Sequence, residues 1–274
     1  MGSGIAEVCA RAGLDVMVRE ANAAAMEAGQ KRLVASLDRA LGANKITEDD
    51  RDSALARLSF TTDMADFADR QLVVEAIVED EALKTDVFAQ LDRYVTDDNA
   101  ILATNTSSIP VMKLGMATKR PSQVVGIHFF NPVPVLRLVE LVPSLLTSQD
   151  TVSRAVDFAE TTLNKRVIHS NDRAGFIVNA LLVPYILSAV RMMESGYASA
   201  EDIDLGMVEG CAHPMGPLRL ADLIGLDTVG AIAESLYMEF KEPLYAAPPL
   251  LSRMVDAGLL GRKAGRGFYD YTKK

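Results

Sequence analysis

Three short runs constrain this chain more than anything else in it: LVVEAIV at 72–78, AILAT at 100–104 and VVGIHFF at 124–130. Each is β-rich, apolar without alternation, and bounded by polar residues. A strand of that kind must be covered on both faces, which is the habit of parallel sheets packed between helices. A helical stretch, EALKTDVFAQLDRYV, separates the first two runs. LDVMV, ending at Arg19–Glu20, and the later runs LRLVELV and KRVIHS read as further strands. Strands alternating with helices give an α/β fold with a Rossmann-type doubly wound sheet.

The helices carry their own signals. Gly4–Ala12 is a short helix closed by Gly13. A long one from about Ala23 to Leu41 puts Leu33, Leu37 and Leu41 on one stripe. Thr47 with Asp50 three residues on has the pattern of a capping box. Another helix runs from Thr151 to Leu163. From about Asp172 the texture changes to helical periods broken by Pro and Gly, beginning with FIVNALLVPYILSAVRMMES. We therefore expect an α/β domain over 1–172 and an all-α domain over 173–274. The first helix of the second domain is apolar nearly all round, which predicts burial in a domain core or, by preference, in a homodimer interface.

Composition excludes more than it identifies. The 274 residues leave room for two domains. A net charge of -9 argues against nucleic acid or an anionic membrane as partner. Cys9 and Cys211, far apart and in apolar helical contexts, read as buried reduced thiols. With so few Cys and His, no metal centre is expected. No secretory signal and no apolar run of about eighteen residues is present, so a cytoplasmic protein is expected.

The most informative stretch for chemistry is GIHFFNPVPVLRLVELV. His128 falls at the end of a strand, where open α/β sheets present functional residues. Glu140 lies in the next strand-like run. A carboxylate bonded to one ring nitrogen fixes the tautomer and leaves the other to take a proton. The alternative is a core histidine with ordinary partners, which is how His169 and His213 are read. TNTSSIP at 104–110 lines the same crevice or is only a polar turn. Asn179, in an apolar helix, is either a structural bond to the neighbouring domain or a ligand contact. Gly2 at a helix start and Glu20 after the following strand have the relation of a diphosphate-binding helix to a ribose-binding acid. The acid favours NAD over NADP, although Arg19 stands beside it.

In order along the chain, VVEAIVED, ATNTSSIP, GIHFFNPVPVLRLVELV, DRAGFIVNALLVPY, HPMGPLRLADLIGLD and GRKAGRGFYDY resemble the short-chain L-3-hydroxyacyl-CoA dehydrogenase family, in particular its monofunctional bacterial members. The resemblance implies NAD-dependent, reversible oxidation of an (S)-3-hydroxyacyl-CoA, with 3-hydroxybutyryl-CoA the expected substrate, by a homodimer of Rossmann-type and helical domains. It implies His128 as general base, Glu140 as its orienting carboxylate, Ser107 between substrate oxygen and cofactor, and Asn131 and Asn179 as amides holding the reacting groups. It implies Gly2, Glu20, Glu79, Lys84, Asn105 and Lys263 as further cofactor contacts. Ser36 matches the CoA-binding serine. The matching lysine position holds Ala43, with Lys45 nearby. A dehydrogenase of free β-hydroxyacids and an inactive dimeric binding protein are the competing readings.

The family also places a strand and a GxGxMG loop before SGIAE, so that Gly2 matches the third glycine of that loop. The expectation is a first strand missing from the sheet, unpaired backbone on the two strands flanking it, and a working protein longer by about ten to twenty residues.

Overall fold

The computed structural model describes residues 1–272. They form two compact units, one of Met1–Asp172 and one from Arg173 onward.

The first unit runs α1 (Gly2–Arg11), β1 (Val16–Arg19), α2 (Ala23–Gly42), α3 (Glu48–Ala56), β2 (Leu58–Thr61), β3 (Leu72–Glu75) and α4 (Glu81–Tyr94). It continues with β4 (Ile101–Thr104), α5 (Val111–Met116), β5 (Val124–Phe129), β6 (Leu138–Pro143), α6 (Gln149–Asp157) and β7 (Arg166–His169). Several starts follow from local chemistry. Asn22, Thr47, Asp80 and Ser148 each accept a backbone N–H of the first helical turn from their side chains, and the Thr47–Asp50 box is reciprocal. Gly13 follows α1 with a φ of 88°, a conformation glycine adopts without penalty.

The strands form two hydrogen-bonded groups, β1-β2 and β3-β4-β5-β6-β7. Among the described residues β1 pairs only with β2, and β3 only with β4. β3, β4 and β5 are parallel, but β6 runs antiparallel to β5, and β7 is parallel to β6. The α/β reading holds, and the three apolar runs are parallel strands, but the next strand reverses direction. The physical reason is loop length: residues 130–137 are too few for a crossover, so the chain can only turn back. The run 72–78 also ends early as a strand. The Glu75 carboxylate accepts the Ile77 N–H at 2.7 Å and draws the chain out of the ladder. The predicted helix over 151–163 begins earlier, capped by Ser148, and ends in a π turn, Phe158–Thr162.

α1 and α6 cover one face of the larger sheet, where Ile5 and Cys9 meet Ile101, Ala103, Val125, Ile127, Val139 and Leu141, with Ala155 and Ala159. Burial pushes the Cys9 thiol up to about 12. Cys211, expected to be buried, is exposed, because it ends a helix at the surface. Leu33 and Leu37 of α2 pack with Ala6, Ala10 and Ala54.

The second unit contains α7 (Val178–Glu194), α8 (Ala200–Cys211), α9 (Pro217–Ile224), α10 (Leu226–Phe240) and α11 (Pro249–Asp256). Its core joins Val183, Ile186, Leu187 and Val190 of α7 to Leu218, Leu226, Val229 and Leu236. Two buried carboxylates organise it. Asp204 accepts the backbone N–H groups of Leu218 and Arg219 at the start of α9, together with the Tyr269 hydroxyl. Asp222 accepts those of Phe268 and Tyr269 and the Tyr271 hydroxyl, which pins the GRKAGRGFYDY tail.

Gly126 sets how closely β5 and β6 approach. A Cβ there would lie 2.9 Å from Val142 Cβ and 3.1 Å from Val111 Cγ2. Gly126→Ala should therefore destabilise the protein by about 1–3 kcal/mol through overpacking, measured by chemical denaturation. Parental stability in that variant would show that the strand pair has slack to absorb a methyl group.

Candidate active site

The site grows from the C-terminal ends of β3, β4 and β5. The antiparallel register of β5 and β6 sets His128 directly opposite Glu140. Directly opposed residues project from the same face, so the two side chains meet. His128 Nδ1 lies 2.7 Å from Glu140 Oε2. Glu140 is 0% exposed and His128 6%. A carboxylate held against Nδ1 makes that nitrogen the protonated one and Nε2 the basic one. The Phe130 ring packs edge-on against the imidazole, with centroids 4.7 Å apart.

The turn after β4 carries Asn105 and Ser107. Glu79 Oε1 gathers this turn, accepting from Thr106 Oγ1 at 2.5 Å, Ser107 N at 2.9 Å, and Ser108 N and Oγ at 3.1 and 2.9 Å. Lys84 Nζ sits 2.9 Å from the other oxygen. Burial acts to raise the Glu79 carboxyl, but the Lys84 charge, the Thr106 hydroxyl and the Ser107 N–H outweigh it and hold it at about 2. Lys84 is only 1% exposed and also pairs with Glu75 Oε1 at 3.0 Å, so its ammonium is directed into the protein. The carboxamide oxygen of Asn105 accepts the Phe129 N–H at 2.8 Å, tying the β4 turn to the backbone beside His128.

Asn131 is exposed in the turn between β5 and β6 and is followed by a cis peptide bond to Pro132. A residue not singled out by the sequence reading holds this turn: Lys165, just before β7, donates to the carbonyls of Val133 and Leu136 at 2.5 and 2.7 Å. Burial lowers the pKa of its ammonium. Nothing in KRVIHS marks that lysine as buried. Only the shape of the 131–137 turn does so.

On the cofactor side, no side chain among the described residues caps the N-terminus of α1. A Cβ on Gly2 would stand 3.7 Å from Ala76 Cβ, so the helix starts against the chain leaving β3. Glu20 follows β1 and approaches α2 so closely that a Cβ on Gly29 would lie 3.0 Å from its Oε1. An uncapped helix start and an acid beyond the neighbouring strand suit the diphosphate and ribose of NAD. Ser36 is half-buried on α2, and Lys45 is exposed in the turn after it.

Within the second unit, Asn179 is half-buried in the first turn of α7. Lys263 Nζ contacts both oxygens of Asp227, at 2.5 and 2.6 Å. His213 Nδ1 lies 3.2 Å from the Tyr185 hydroxyl, and His169 is exposed at the end of β7. Among the described residues no cluster of side chains could hold a metal, and no helix is long and apolar enough to cross a membrane.

Residues 1–173 match the family model described as the NAD-binding domain of 3-hydroxyacyl-CoA dehydrogenase, and residues 175–271 match that of its C-terminal domain. The chain belongs to the 3-hydroxyacyl-CoA dehydrogenase family. It is similar to a 3-hydroxybutyryl-CoA dehydrogenase of Mycobacterium tuberculosis, with 60% identity over 99% of this chain and 95% of the relative. Its fold superposes on the crystal structure of M. tuberculosis FadB2 with a TM-score of 0.98 at 60% identity, covering 99% of this chain and 95% of that one. The (S)-3-hydroxybutyryl-CoA dehydrogenase PaaH1 of Ralstonia eutropha gives 0.93 at 45% identity, covering 100% and 96%. This member of the 3-hydroxyacyl-CoA dehydrogenase family is thus an NAD-dependent oxidoreductase.

Glu79 predicts a pH dependence for this dehydrogenase. Its folded pKa, about 2, is below the ordinary 4.5, so its contribution to stability is complete above pH 4.5 and is lost as pH falls toward 2. The stability difference between the parent and Glu79→Gln should be constant above pH 4.5 and shrink below it, measured by urea denaturation across that range. A difference independent of pH would mean that the carboxylate's charge is not what the turn uses.

Proposed function

We propose that the chain oxidises an (S)-3-hydroxyacyl-CoA, with 3-hydroxybutyryl-CoA as its substrate, to the 3-oxoacyl-CoA, reversibly, with His128 as general base. The observation that carries this reading is the buried His128–Glu140 pair at the end of β5. Bound NAD supplies the acceptor for the hydride that leaves C3. His128 Nε2 takes the hydroxyl proton, and Glu140 holds the ring in the required tautomer and stabilises the imidazolium that forms. Ser107 and Asn131 stand on the turns flanking His128, where their polar groups orient the substrate oxygen. Asn179 takes the role of a ligand-contacting amide that the family resemblance implies.

Gly2 and the start of α1 hold the diphosphate, and Glu20 the adenosine ribose. Glu79 and Asn105 shape the nicotinamide end, and Lys263 contributes a further contact. Ser36 and Lys45 take the CoA moiety. The 3-hydroxybutyryl-CoA dehydrogenases of M. tuberculosis and R. eutropha support the choice of substrate through their overall similarity. The reaction fits fatty-acid, butanoate or aromatic degradation, and the cytoplasm is its proposed location. α7 exposes Leu181 at 72% and Met192 at 41%, apolar side chains that support a homodimer. Sedimentation at micromolar concentration tests that, with a monomer the adverse result.

His128→Ala should lower kcat by at least about 10²–10⁴-fold and leave NADH binding, followed by fluorescence, unchanged. An unaltered kcat would remove His128 from this role. Glu140→Gln should reduce kcat while the protein stays folded. The substrate is tested by supplying 3-hydroxybutyryl-CoA and free 3-hydroxybutyrate side by side and following reduced nicotinamide by absorbance. Equal turnover of the free acid would replace the thioester reading.

A further inference from the structure

We propose that Glu75, with Lys84 and Thr104, is a positioning residue that fixes the turn bearing Ser107 relative to His128. This inference rests on the reading of Ser107 as a contact to the reacting oxygen. Glu75 is the last residue of β3 and is 4% exposed. Three donors from three different segments converge on its two oxygens. Oε1 accepts the Ile77 N–H at 2.7 Å and meets Lys84 Nζ at 3.0 Å. Oε2 accepts from Thr104 Oγ1 at 2.7 Å, and Thr104 itself is 0% exposed. The Glu75 carbonyl accepts the Asn105 N–H at 2.8 Å.

Both supports of the Ser107 turn lead back to this carboxylate. From below, Thr104 Oγ1 donates a hydrogen bond to Glu75 Oε2 and accepts the Thr106 N–H at 3.1 Å. From the side, Glu79 gathers residues 106–108 and is itself held by Lys84, whose other carboxylate partner is Glu75. Asn105 then carries the constraint across to the backbone of Phe129, next to His128. The array is continuous from β3 to β5.

Stability is a poor explanation for such an array. Burying an ammonium and a carboxylate costs desolvation that their attraction often fails to offset, and well-packed apolar residues would serve as well. What the ions supply is geometry. An ionised carboxylate is acceptor-only, whereas glutamine has one acceptor oxygen and brings two N–H donors. A glutamine amide that keeps its oxygen on Ile77 and Lys84 turns an N–H toward Thr104, so that hydrogen bond must reverse, and Lys84 loses one of its two carboxylate partners. Glu75→Gln keeps the volume and changes the direction of the Thr104 bond beside the Thr106 N–H.

The test is a double-mutant cycle between Glu75→Gln and Ser107→Ala, supported by Thr104→Val and Thr104→Ser. Turnover of 3-hydroxybutyryl-CoA with NAD should fall about 10-fold or more in kcat for Glu75→Gln, since misplacement by about 1 Å can cost up to 10²-fold. KM should move less than kcat. Thr104→Val should behave likewise, and Thr104→Ser, which restores the hydroxyl, should return kcat to within about twofold of the parent. In the Ser107→Ala background Glu75→Gln should cost less than about twofold, because its effect passes through Ser107. Equal losses in both backgrounds would overturn the proposal. Amide hydrogen exchange supplies a readout independent of turnover: the 104–108 segment should exchange faster in Glu75→Gln, and unchanged exchange there also overturns it. If the parent does not oxidise the thioester, the functional reading fails separately, and exchange alone decides the positioning role.

Discussion

Glu140 has no exposed surface and sits 2.7 Å from an imidazole nitrogen, and it is there because β6 turns back along β5 instead of crossing over. In a parallel continuation the next strand would follow a helix and start again at the far edge of the sheet. The antiparallel return puts a residue of β6 opposite the last turns of β5, in fixed register, inside the sheet. The Gly126 contact with Val142 lets the two backbones approach, and Lys165 pins the connecting turn by its carbonyls. A charged acceptor can be held dry only where its partner is guaranteed, and the register supplies that guarantee.

The polar groups around this pair form one layer across the strand ends. Glu75 stands at β3, with Glu79 from the loop after it and Lys84 from α4, Thr104 and Asn105 at β4, and His128 and Glu140 at β5 and β6. Below it the sheet is apolar, with Ile101, Ala103, Val125 and Ile127 packed under α1 and α6. Low dielectric beneath and hydrogen bonds within make each member strongly dependent on its neighbours. Rigid supports of this kind are what acid–base chemistry needs, because a proton transfer depends on heavy-atom separations of a few tenths of an ångström.

The sequence showed the chemistry of this layer better than its architecture. HFFNP and the glutamate after it mark the pair, and the apolar runs mark the strands of the larger sheet. Their order and direction were less visible, because direction depends on loop length and an apolar run looks the same either way. LSFT, the strand β2, escaped notice: it is short and half-exposed, and carries a serine. α5 escaped for a different reason. Its first N–H groups are capped by Asp172, whose carboxylate reaches Val111 and Met112 from far along the chain. No local window contains that partner. The two cysteines were judged alike, yet one lies on an inward helical face and the other at a helix end.

The buried lysines show most clearly what residue type leaves open. Family resemblance implies Lys84 as a cofactor contact, and no sequence signal singles out Lys165. Both direct their ammonium groups at loop-holding acceptors. Lys84 does so with two carboxylates that neutralise it, and Lys165 with two carbonyls that carry no charge. The difference appears in Lys165, whose pKa burial lowers. An amine can donate to carbonyls in either protonation state, so that turn stays held even if the charge is lost. The β4 turn is held differently, because Lys84 lies between the carboxylates of Glu75 and Glu79 and joins β3 to the turn that Glu79 gathers. The two turns that bracket His128 are therefore anchored by the same residue type, one through carboxylates and the other through carbonyls.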